Sequence, residues 1–325
     1  MRRRPHESRT LGDARARDPA GSKGRQEPPD HDALRHVRSG SAPFGYGTLM
    51  TQSERAAAFR LLHERPGAFV IPNPWDAGTA RVLAGLGFEA LATTSSGLAF
   101  TLGRRDAEGA VTREQALSSA GAIAAATSLP VSADLENGFG DDPETVAETI
   151  RMAAAIGLVG GSIEDATTRS DGPIYPQSQA VERVAAAAEV AHSLPFPFLL
   201  TARAENYLYG RRDLDDTIMR LQAYEAAGAD VLYAPGLRAI EDVRAVCAAV
   251  SRPVNVLAGP GFTVAQLAEA GVRRVSLGGA LSRAALSAFL RAAREARQEG
   301  SFRFLEDVVP FGDLNTFMAG RREDS

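Results

Sequence analysis

The segment Ala226–Tyr233, A-A-G-A-D-V-L-Y, joins the end of an amphipathic helix to an apolar strand through one glycine. A glycine there can end a helix in the left-handed conformation, and the next strand then begins within a few residues. The same pattern occurs in A-G-L-G-F-E-A-L at Ala84–Leu91, A-I-G-L-V-G-G-S-I at Ala155–Ile163 and E-A-G-V-R-R-V-S at Glu269–Ser276. Repeated short helix-to-strand turns indicate a chain built from strand–helix units.

Apolar strands and amphipathic helices alternate on both sides of these turns. Strands are predicted at Ala68–Pro72, Ala90–Thr94, Val131–Asp134, Gly160–Glu164, Phe198–Ala202, Val231–Ala234, Val254–Leu257 and Val275–Gly278. Eight such units in about 230 residues favour an α/β protein, a closed (β/α)8 TIM barrel of parallel strands. A doubly wound open sheet is the alternative, but no G-x-G-x-x-G motif follows the first strand.

Three regions are predicted from the composition. Residues 1–49 carry ten basic and six acidic side chains and little aliphatic periodicity, so they are expected to be a disordered N-terminal extension. Residues 50–300 are expected to form the barrel. Residues 301–325 include a segment rich in phenylalanine and leucine, which is expected to pack on the barrel or on a second subunit.

The residue inventory excludes several classes of chemistry. Lys23 is the only lysine and lies in the N-terminal extension, so the predicted barrel has none for a Schiff base or a phosphate-binding loop. Only His63 and His192 lie beyond residue 49, which argues against a histidine-rich zinc site. The single cysteine, Cys247, fits a reducing cytoplasm, and no apolar run is long enough to span a membrane.

The charge distribution bears on nucleic-acid binding. The N-terminal extension has a net charge of +4, whereas the whole chain has −4, so the remainder carries −8. A basic arm for RNA is the alternative interpretation of this extension. The acidic body would repel a phosphate backbone, so no nucleic-acid partner is expected.

The strand Pro130–Ala133 runs directly into carboxylates, in P-V-S-A-D-L-E-N-G-F-G at Pro130–Gly140. Asp134 and Glu136 alternate with Leu135, which places both side chains on one face of the strand. Two neighbouring carboxylates repel each other unless a cation or a proton lies between them. This favours a metal site, although a solvated acidic turn is the simpler alternative.

Other polar side chains follow the predicted strands, and in a barrel those ends meet on one rim. The set includes Trp75, Ser95, Ser96, Gly97, Asp134, Glu136, Glu164, Arg203 and Asn255. Acidic groups beside one arginine are typical of a Mg²⁺ site that takes an anionic, oxygen-rich ligand. We expect Ser95, Ser96 and the amide of Gly97 to bind a carboxylate, and Arg203 to hold one in a bidentate fork.

These motifs resemble the isocitrate lyase and phosphoenolpyruvate mutase superfamily over roughly residues 68–297. V-S-A-D-L-E-N-G-F-G is similar to the family's D-x-D-x-G-Y-G metal motif, with Glu136 in place of the second aspartate. I-E-D at Ile163–Asp165, A-R-A-E at Ala202–Glu205, T-S-S-G at Thr94–Gly97 and G-R-R-D at Gly103–Asp106 resemble further family segments. The resemblance implies Mg²⁺ as cofactor and oligomers with exchanged C-terminal helices, a homodimer or homotetramer.

The resemblance also implies roles for individual residues. Asp134, Glu136 and Glu164 are the implied metal site, with Asp106 and Glu136 orienting metal-bound waters, and Arg203 stabilises an enolate. The loop Ala166–Pro176 lacks the lysine, cysteine and histidine of the family's lyases. The proton donor therefore stays open among Tyr175, Asp171 and a metal-bound water.

The expected function is Mg²⁺-dependent cleavage of a C–C bond in a small 2-oxo or 2-hydroxy carboxylate through an enolate. The first alternative is a phosphoenolpyruvate or carboxyphosphonoenolpyruvate phosphonomutase, which acts on a C–P bond. The second is a barrel that binds a keto acid without turning it over. All three predict a small-molecule partner and a cytoplasmic protein.

Overall fold

A computed structural model describes residues 50–319, and their eight parallel strands form a nearly closed barrel. The strands are β1 Phe69–Ile71, β2 Leu91–Ala92, β3 Val131–Asp134, β4 Gly160–Glu164, β5 Leu199–Arg203, β6 Val231–Tyr233, β7 Val254–Leu257 and β8 Arg274–Ser276. They pair in the order β1-β8-β7-β6-β5-β4-β3-β2. The predicted (β/α)8 architecture is confirmed, and each strand begins and ends within two residues of its predicted bounds.

Helices alternate with the strands. They are α1 Gln52–Glu64, α2 Ala77–Gly85, α3 Ser95–Thr101, α4 Arg113–Ala125, α5 Pro143–Ala155, α6 Gln177–Ser193, α7 Leu214–Ala226, α8 Ile240–Ala249, α9 Val264–Glu269, α10 Ala280–Arg294 and α11 Phe311–Met318. The helix-to-strand glycines at 87, 157, 228 and 271 all have positive φ, as their repeated turns predict. A π-helical turn, Glu295–Glu299, extends α10.

The barrel closes at a seam between β1 and β2. One backbone hydrogen bond crosses the seam in the described residues, from the Ala92 N–H to the Pro72 carbonyl at 3.1 Å. The Asn73 side chain reinforces it, because its Nδ2 donates to the Thr93 carbonyl at 2.9 Å and its Oδ1 accepts from the Leu277 and Gly278 amides. Asn73 therefore ties β1, β2 and the end of β8 together.

Helix α1 covers the end of the barrel where the strands begin. Its Phe59 and Leu62 pack in one apolar cluster with Phe69, Val159 and Leu199, which lie at or just before the starts of their strands. A capping box between Thr51 and Glu54 begins this helix. The opposite end, where the strands finish, is left for polar side chains.

The C-terminal segment lies partly on the barrel. Helix α11 packs against α2, where Phe317 meets the Cα surface of Gly85 and the Arg81 guanidinium donates to the Met318 carbonyl. Large apolar side chains elsewhere in this segment are exposed, including Phe302 and Phe311. Within residues 50–319, no helix combines the length and apolarity needed to cross a bilayer.

Candidate functional site

Arg203 joins the acidic side chains at the carboxyl ends of three strands. From the end of β5, its Nη1 lies 3.1 Å from Asp134 Oδ1 and its Nη2 lies 3.2 Å from Glu164 Oε2. Its Nε donates to Glu205 Oε1 at 2.8 Å. Because β3, β4 and β5 are neighbours in the barrel, the strand order itself brings these groups together.

Helix α3 and the following loop complete the acidic cluster on the β2 side. The backbone N–H of Ser95 donates to Asp134 Oδ2 at 3.2 Å. Asp106 lies near the Ser95 side chain and the Ala107 amide, and it is close enough to Asp134 for the two carboxylates to repel each other. Asp106, predicted from the G-R-R-D motif, therefore lies close to Asp134 although 28 residues separate them in the chain.

The acidic side chains outnumber the cation that they share. Burial, with the nearby Asp134 and Asp106 carboxylates, raises the pKa of Glu136 to about 7. Burial also raises the pKa values of Asp106 and Glu164, the first further through Asp134. Burial lowers the pKa of Arg203, but its carboxylate partners more than offset this and keep it charged. The cluster carries surplus negative charge that a cation or bound protons can neutralise.

The donor set fits Mg²⁺ held partly through water. Among residues 50–319, no three acidic, histidine or cysteine side chains are grouped as direct ligands of one ion. The metal site predicted at Asp134, Glu136 and Glu164 therefore stays a prediction, and Arg203 lies between Asp134 and Glu164. Mg²⁺ commonly binds one or two carboxylates and retains several waters, so the oxygen-rich cluster still suits it.

A cavity of about 240 Å³ opens beside this cluster inside the barrel. It brings together many of the predicted site residues, namely Ser95, Ser96, Asp106, Asp134, Arg203 and Asn255. Trp75, Asp134 and Glu136 line a smaller adjoining cleft. Asn255 is buried and donates from Nδ2 to Ser276 Oγ at 3.0 Å.

The T-S-S-G segment forms the start of helix α3. Thr94 caps α3, and the Gly97 amide donates to the Thr94 hydroxyl at 3.4 Å. That amide donates within the cap, so its binding of a substrate carboxylate stays a prediction and would require the amide to leave Thr94. Gly97 has a packing role, because a Cβ there would lie 2.6 Å from Thr94 Cγ2 and 2.8 Å from Trp75 Cβ.

Tyr175 does not reach the cavity. Its ring is fully buried under the Arg183 guanidinium, 4.2 Å from ring centroid to Cζ, and its hydroxyl donates to Asp141. Burial and the Asp141 carboxylate raise the pKa of Tyr175 to about 12. These contacts argue against the prediction that Tyr175 donates a proton to substrate and give it a structural role behind the site.

The loop after β3 is held in a strained conformation by the same arginine. Glu136 and Phe139 have φ of 47° and 63°, which non-glycine residues rarely adopt. The Arg183 guanidinium donates to the carbonyls of Asn137, Gly140 and Asp141 from beneath the loop. Backbone strain of this kind persists where surrounding contacts over-determine it, and here those contacts fix the position of Glu136.

Sequence reasoning missed several residues of the cavity wall. Tyr233, Arg274 and Ser276 line the cavity from β6 and β8. The two-residue period of β8 was the available signal, because it places Arg274 and Ser276 on the same face. Asp165, in contrast, turns away from the cavity and is bound by Arg220 at 3.0 Å and by the Tyr224 hydroxyl at 2.6 Å.

Comparison with known proteins agrees with this geometry. Residues 59–297 match the family model described as phosphoenolpyruvate phosphomutase. The chain belongs to this family, within the isocitrate lyase/phosphoenolpyruvate mutase superfamily. The superfamily resemblance found in the sequence is thereby confirmed.

Members of the family include close structural relatives. A crystal structure from Burkholderia cenocepacia J2315, described as a "putative lyase/mutase", is 60% identical, with a TM-score of 0.80, and the match covers 82% of this chain and 96% of that one. An uncharacterised protein of Mycobacterium tuberculosis is 33% identical over 79% of this chain and 94% of its own length.

Relatives with named activities are more distant. The 2,3-dimethylmalate lyase of Eubacterium barkeri is 27% identical, over 66% of this chain and 72% of its own. A phosphonopyruvate hydrolase solved with oxalate and Mg²⁺ shares the fold at 23% identity and a TM-score of 0.74, covering 83% of this chain and 95% of that one. The superfamily thus contains enzymes of the lyase, hydrolase and mutase types.

Proposed function

We propose that this family member cleaves a C–C bond of a small 2-oxo or 2-hydroxy carboxylate with Mg²⁺ as cofactor. The observation that carries the proposal is the contact of Arg203 with both Asp134 and Glu164 at the edge of a polar cavity. A fixed guanidinium there can stabilise an oxygen that gains negative charge as the bond breaks. The named activity of 2,3-dimethylmalate lyase supports this reaction type.

The proposed cofactor is Mg²⁺, which Asp134 and Glu164 would hold directly or through water. Asp106 and Glu136 would orient those waters. When bound, the ion would supply positive charge next to the carboxylate and the reacting oxygen of the substrate. The surplus of carboxylates over cations supports this assignment, as does the Mg²⁺ in the structure of phosphonopyruvate hydrolase.

The chain's own groups have separate roles in this proposal. Ser95 Oγ and Ser96 Oγ would donate to a substrate carboxylate, since both residues line the cavity, and Ser96 Oγ would give up its contact with Thr94 Oγ1 at 3.1 Å. Trp75 closes the adjoining cleft beside Glu136 and limits water there. The hydroxyl group of Tyr175 takes no part, because Asp141 and Arg183 hold it outside the cavity.

The test is a screen of oxaloacetate, dialkylmalates and phosphonopyruvate with and without Mg²⁺. We expect Mg²⁺-dependent cleavage of one C–C substrate by the wild type and a loss of at least about 100-fold in kcat/KM in Asp134→Ala. The control is Asp142→Ala, which removes an exposed acid whose side chain makes no capping hydrogen bond and should leave kcat/KM unchanged.

Other outcomes would replace the proposal. Conversion of phosphonopyruvate, followed by phosphorus NMR, would assign the C–P chemistry of a phosphonomutase instead. Mg²⁺-dependent binding of a keto acid by calorimetry, with no product from any compound, would make the barrel a binding protein.

A further inference from the structure

Arg274 is a buried cation that no carboxylate neutralises within residues 50–319. Only 5% of its surface is exposed. Its Nε donates to Asn255 Oδ1 at 2.9 Å, its Nη2 donates to Thr201 Oγ1 at 3.0 Å, and its Nη1 lies 3.4 Å from His63 Nε2. Asn255 and Thr201 are neutral, and no ion pair in this part of the chain includes Arg274.

The histidine beside Arg274 is neutral as well. The Nδ1 of His63 lies 2.8 Å from the Phe59 carbonyl and therefore carries the ring proton, which leaves Nε2 to accept from Arg274. Burial and the adjacent guanidinium lower the pKa of His63 to about 3. The positive charge of Arg274 consequently stays uncompensated in the barrel interior.

Two other largely buried arginines of this barrel, Arg203 and Arg220, are paired with carboxylates, whereas Arg183 donates to backbone carbonyls. Arg203 contacts three carboxylates, and Arg220 contacts Asp165 and Asp216. Burying a charge without a counter-ion is costly, so a purely structural side chain at position 274 would be better apolar or paired. Arg274, unlike Arg183, lines the cavity, so its uncompensated charge points to an anion that is supplied from outside the chain.

Arg274 also lines the 240 Å³ cavity that contains Asp134 and Arg203. It lies on β8 two residues before Ser276, and so about 7 Å deeper along the strand, toward the end covered by α1. TIM-barrel interiors are normally filled by branched apolar side chains. Here Ser132, Ser162, Asn255 and Ser276 line a hollow with room for about eight water molecules.

We propose that Arg274 forms an anion subsite at the floor of this cavity and binds a carboxylate at the far end of the ligand. Three of its five N–H groups are used by Asn255, Thr201 and His63, which leaves one on each terminal nitrogen for a bidentate carboxylate. The substrate then carries two carboxylates, one at the Arg203 rim and one at Arg274. The inference rests on the proposed function only for the carboxylate at the Arg203 rim.

The test compares L-malate with L-2-hydroxybutyrate, which differ in having a carboxylate or a methyl group at the far end. Calorimetry on the wild-type protein with Mg²⁺ should show L-malate bound at least about tenfold more tightly, as expected of charge-assisted hydrogen bonds. Arg274→Gln should weaken L-malate binding by at least about tenfold and change 2-hydroxybutyrate binding by less than about twofold. Arg274→Lys, which keeps the charge but not the fork, should fall between.

Arg273→Gln is the matched control. Arg273 directly precedes β8, faces the opposite side of the chain from Arg274 and lies near Cys247 of α8, so its loss should leave both affinities unchanged. The thermal midpoint gives a second readout. Because Arg274→Gln removes an uncompensated buried charge, its midpoint should equal or exceed that of the wild type, whereas loss of a merely structural arginine would lower it.

Equal affinity of the wild type for the two ligands would overturn the inference, whatever the stability of the variants. Retention of the preference for L-malate in Arg274→Gln would overturn it too. A preference for L-malate without turnover of any substrate would keep the subsite and reject the proposed function. Turnover of a substrate without a preference for L-malate would keep the proposed function and reject the Arg274 subsite.

Discussion

Arg203 is surrounded by the acids that it neutralises, and its side chain is only 14% exposed. Removing one partner of a buried ion pair leaves the others uncompensated. We expect Arg203→Ala to lower the free energy of unfolding by about 3–5 kcal/mol in urea titrations. Arg151→Ala is the control, because Arg151 also bridges two glutamates but lies on the surface, where the loss should stay below about 1 kcal/mol. Equal losses of unfolding free energy in Arg203→Ala and Arg151→Ala would contradict the conclusion that Arg203 neutralises buried acids.

His63 should make the stability of the protein depend on pH. Its folded pKa of about 3 lies below the ordinary value of 6.5, so the unfolded chain binds more protons between these values. The contribution to stability is complete above pH 6.5 and is lost as the pH falls toward 3. For this residue alone, the loss between pH 7 and pH 5 is about 2 kcal/mol.

The measurement is the difference in unfolding free energy between the wild type and His63→Gln across this range. The difference should shrink by about 2 kcal/mol from pH 7 to pH 5, because the variant lacks the titrating ring. It should be constant above pH 7.5. A difference independent of pH would show that His63 titrates normally in the folded protein.

Single residues differ in how far their surroundings could be predicted from sequence. The positions of Asp134, Glu164 and Arg203 follow from a local rule, since each ends a parallel strand and such ends share one rim. Tyr175 lies in a loop whose course depends on Arg183, which belongs to another helix. The uncompensated charge of Arg274 likewise depends on which residues of other strands surround it.

Helix α3 shows how an element can be missed although its residues are correctly singled out. Serine and glycine favour turns, so the composition of Ser95–Gly97 does not predict a helix. The Thr94 cap and the close contact of Gly97 with Trp75 determine the helix, and that contact comes from a different strand end. Long, periodic elements contain their own signal: the sequence pattern predicts helices at Pro143–Ile156 and Ser178–His192, each within one residue of the observed α5 and α6 at both ends.

Gly97 provides a test of this packing at the level of elements. Alanine normally stabilises a helix relative to glycine, but at position 97 its Cβ would collide with Thr94 and Trp75. We expect Gly97→Ala to lower the free energy of unfolding by about 1–3 kcal/mol.

Gly121→Ala in α4 is the matched control for this substitution. The nearest atom to a Cβ there lies 3.6 Å away, which is an ordinary contact, so up to about 1 kcal/mol of stabilisation is expected. The measurement is the thermal unfolding of both variants, which shows whether the packing collision or the helix propensity determines the effect at position 97. Stabilisation by both would mean that α3 moves freely away from Trp75.

The whole molecule presents an apolar surface at its C-terminal end, which we propose is covered by another copy of the chain. Phe289, Phe302 and Phe311 are 68%, 61% and 81% exposed. Exposed apolar patches of this kind mark interaction sites. Sedimentation velocity should therefore give a dimer or tetramer, and Phe289→Glu combined with Phe311→Glu should reduce the mass to that of smaller species.

Leu61→Glu is the control for the assembly. Leu61 is 58% exposed on α1, outside the C-terminal segment, and its replacement should leave the mass unchanged. A wild-type monomer at micromolar concentration would reject the proposed assembly.

The seam between β1 and β2 affects local opening of the native barrel. One backbone hydrogen bond and the Asn73 side chain connect β1 to β2. We therefore expect these two strands to separate transiently more often than other neighbouring strands of the barrel. Deuterium should therefore enter at Ala92 sooner than at amides of the fully flanked β4 and β5. Since Thr93, Thr94 and Ser95 follow β2 directly, each such parting also displaces one wall of the cavity, and a ligand bound there should slow the isotope uptake.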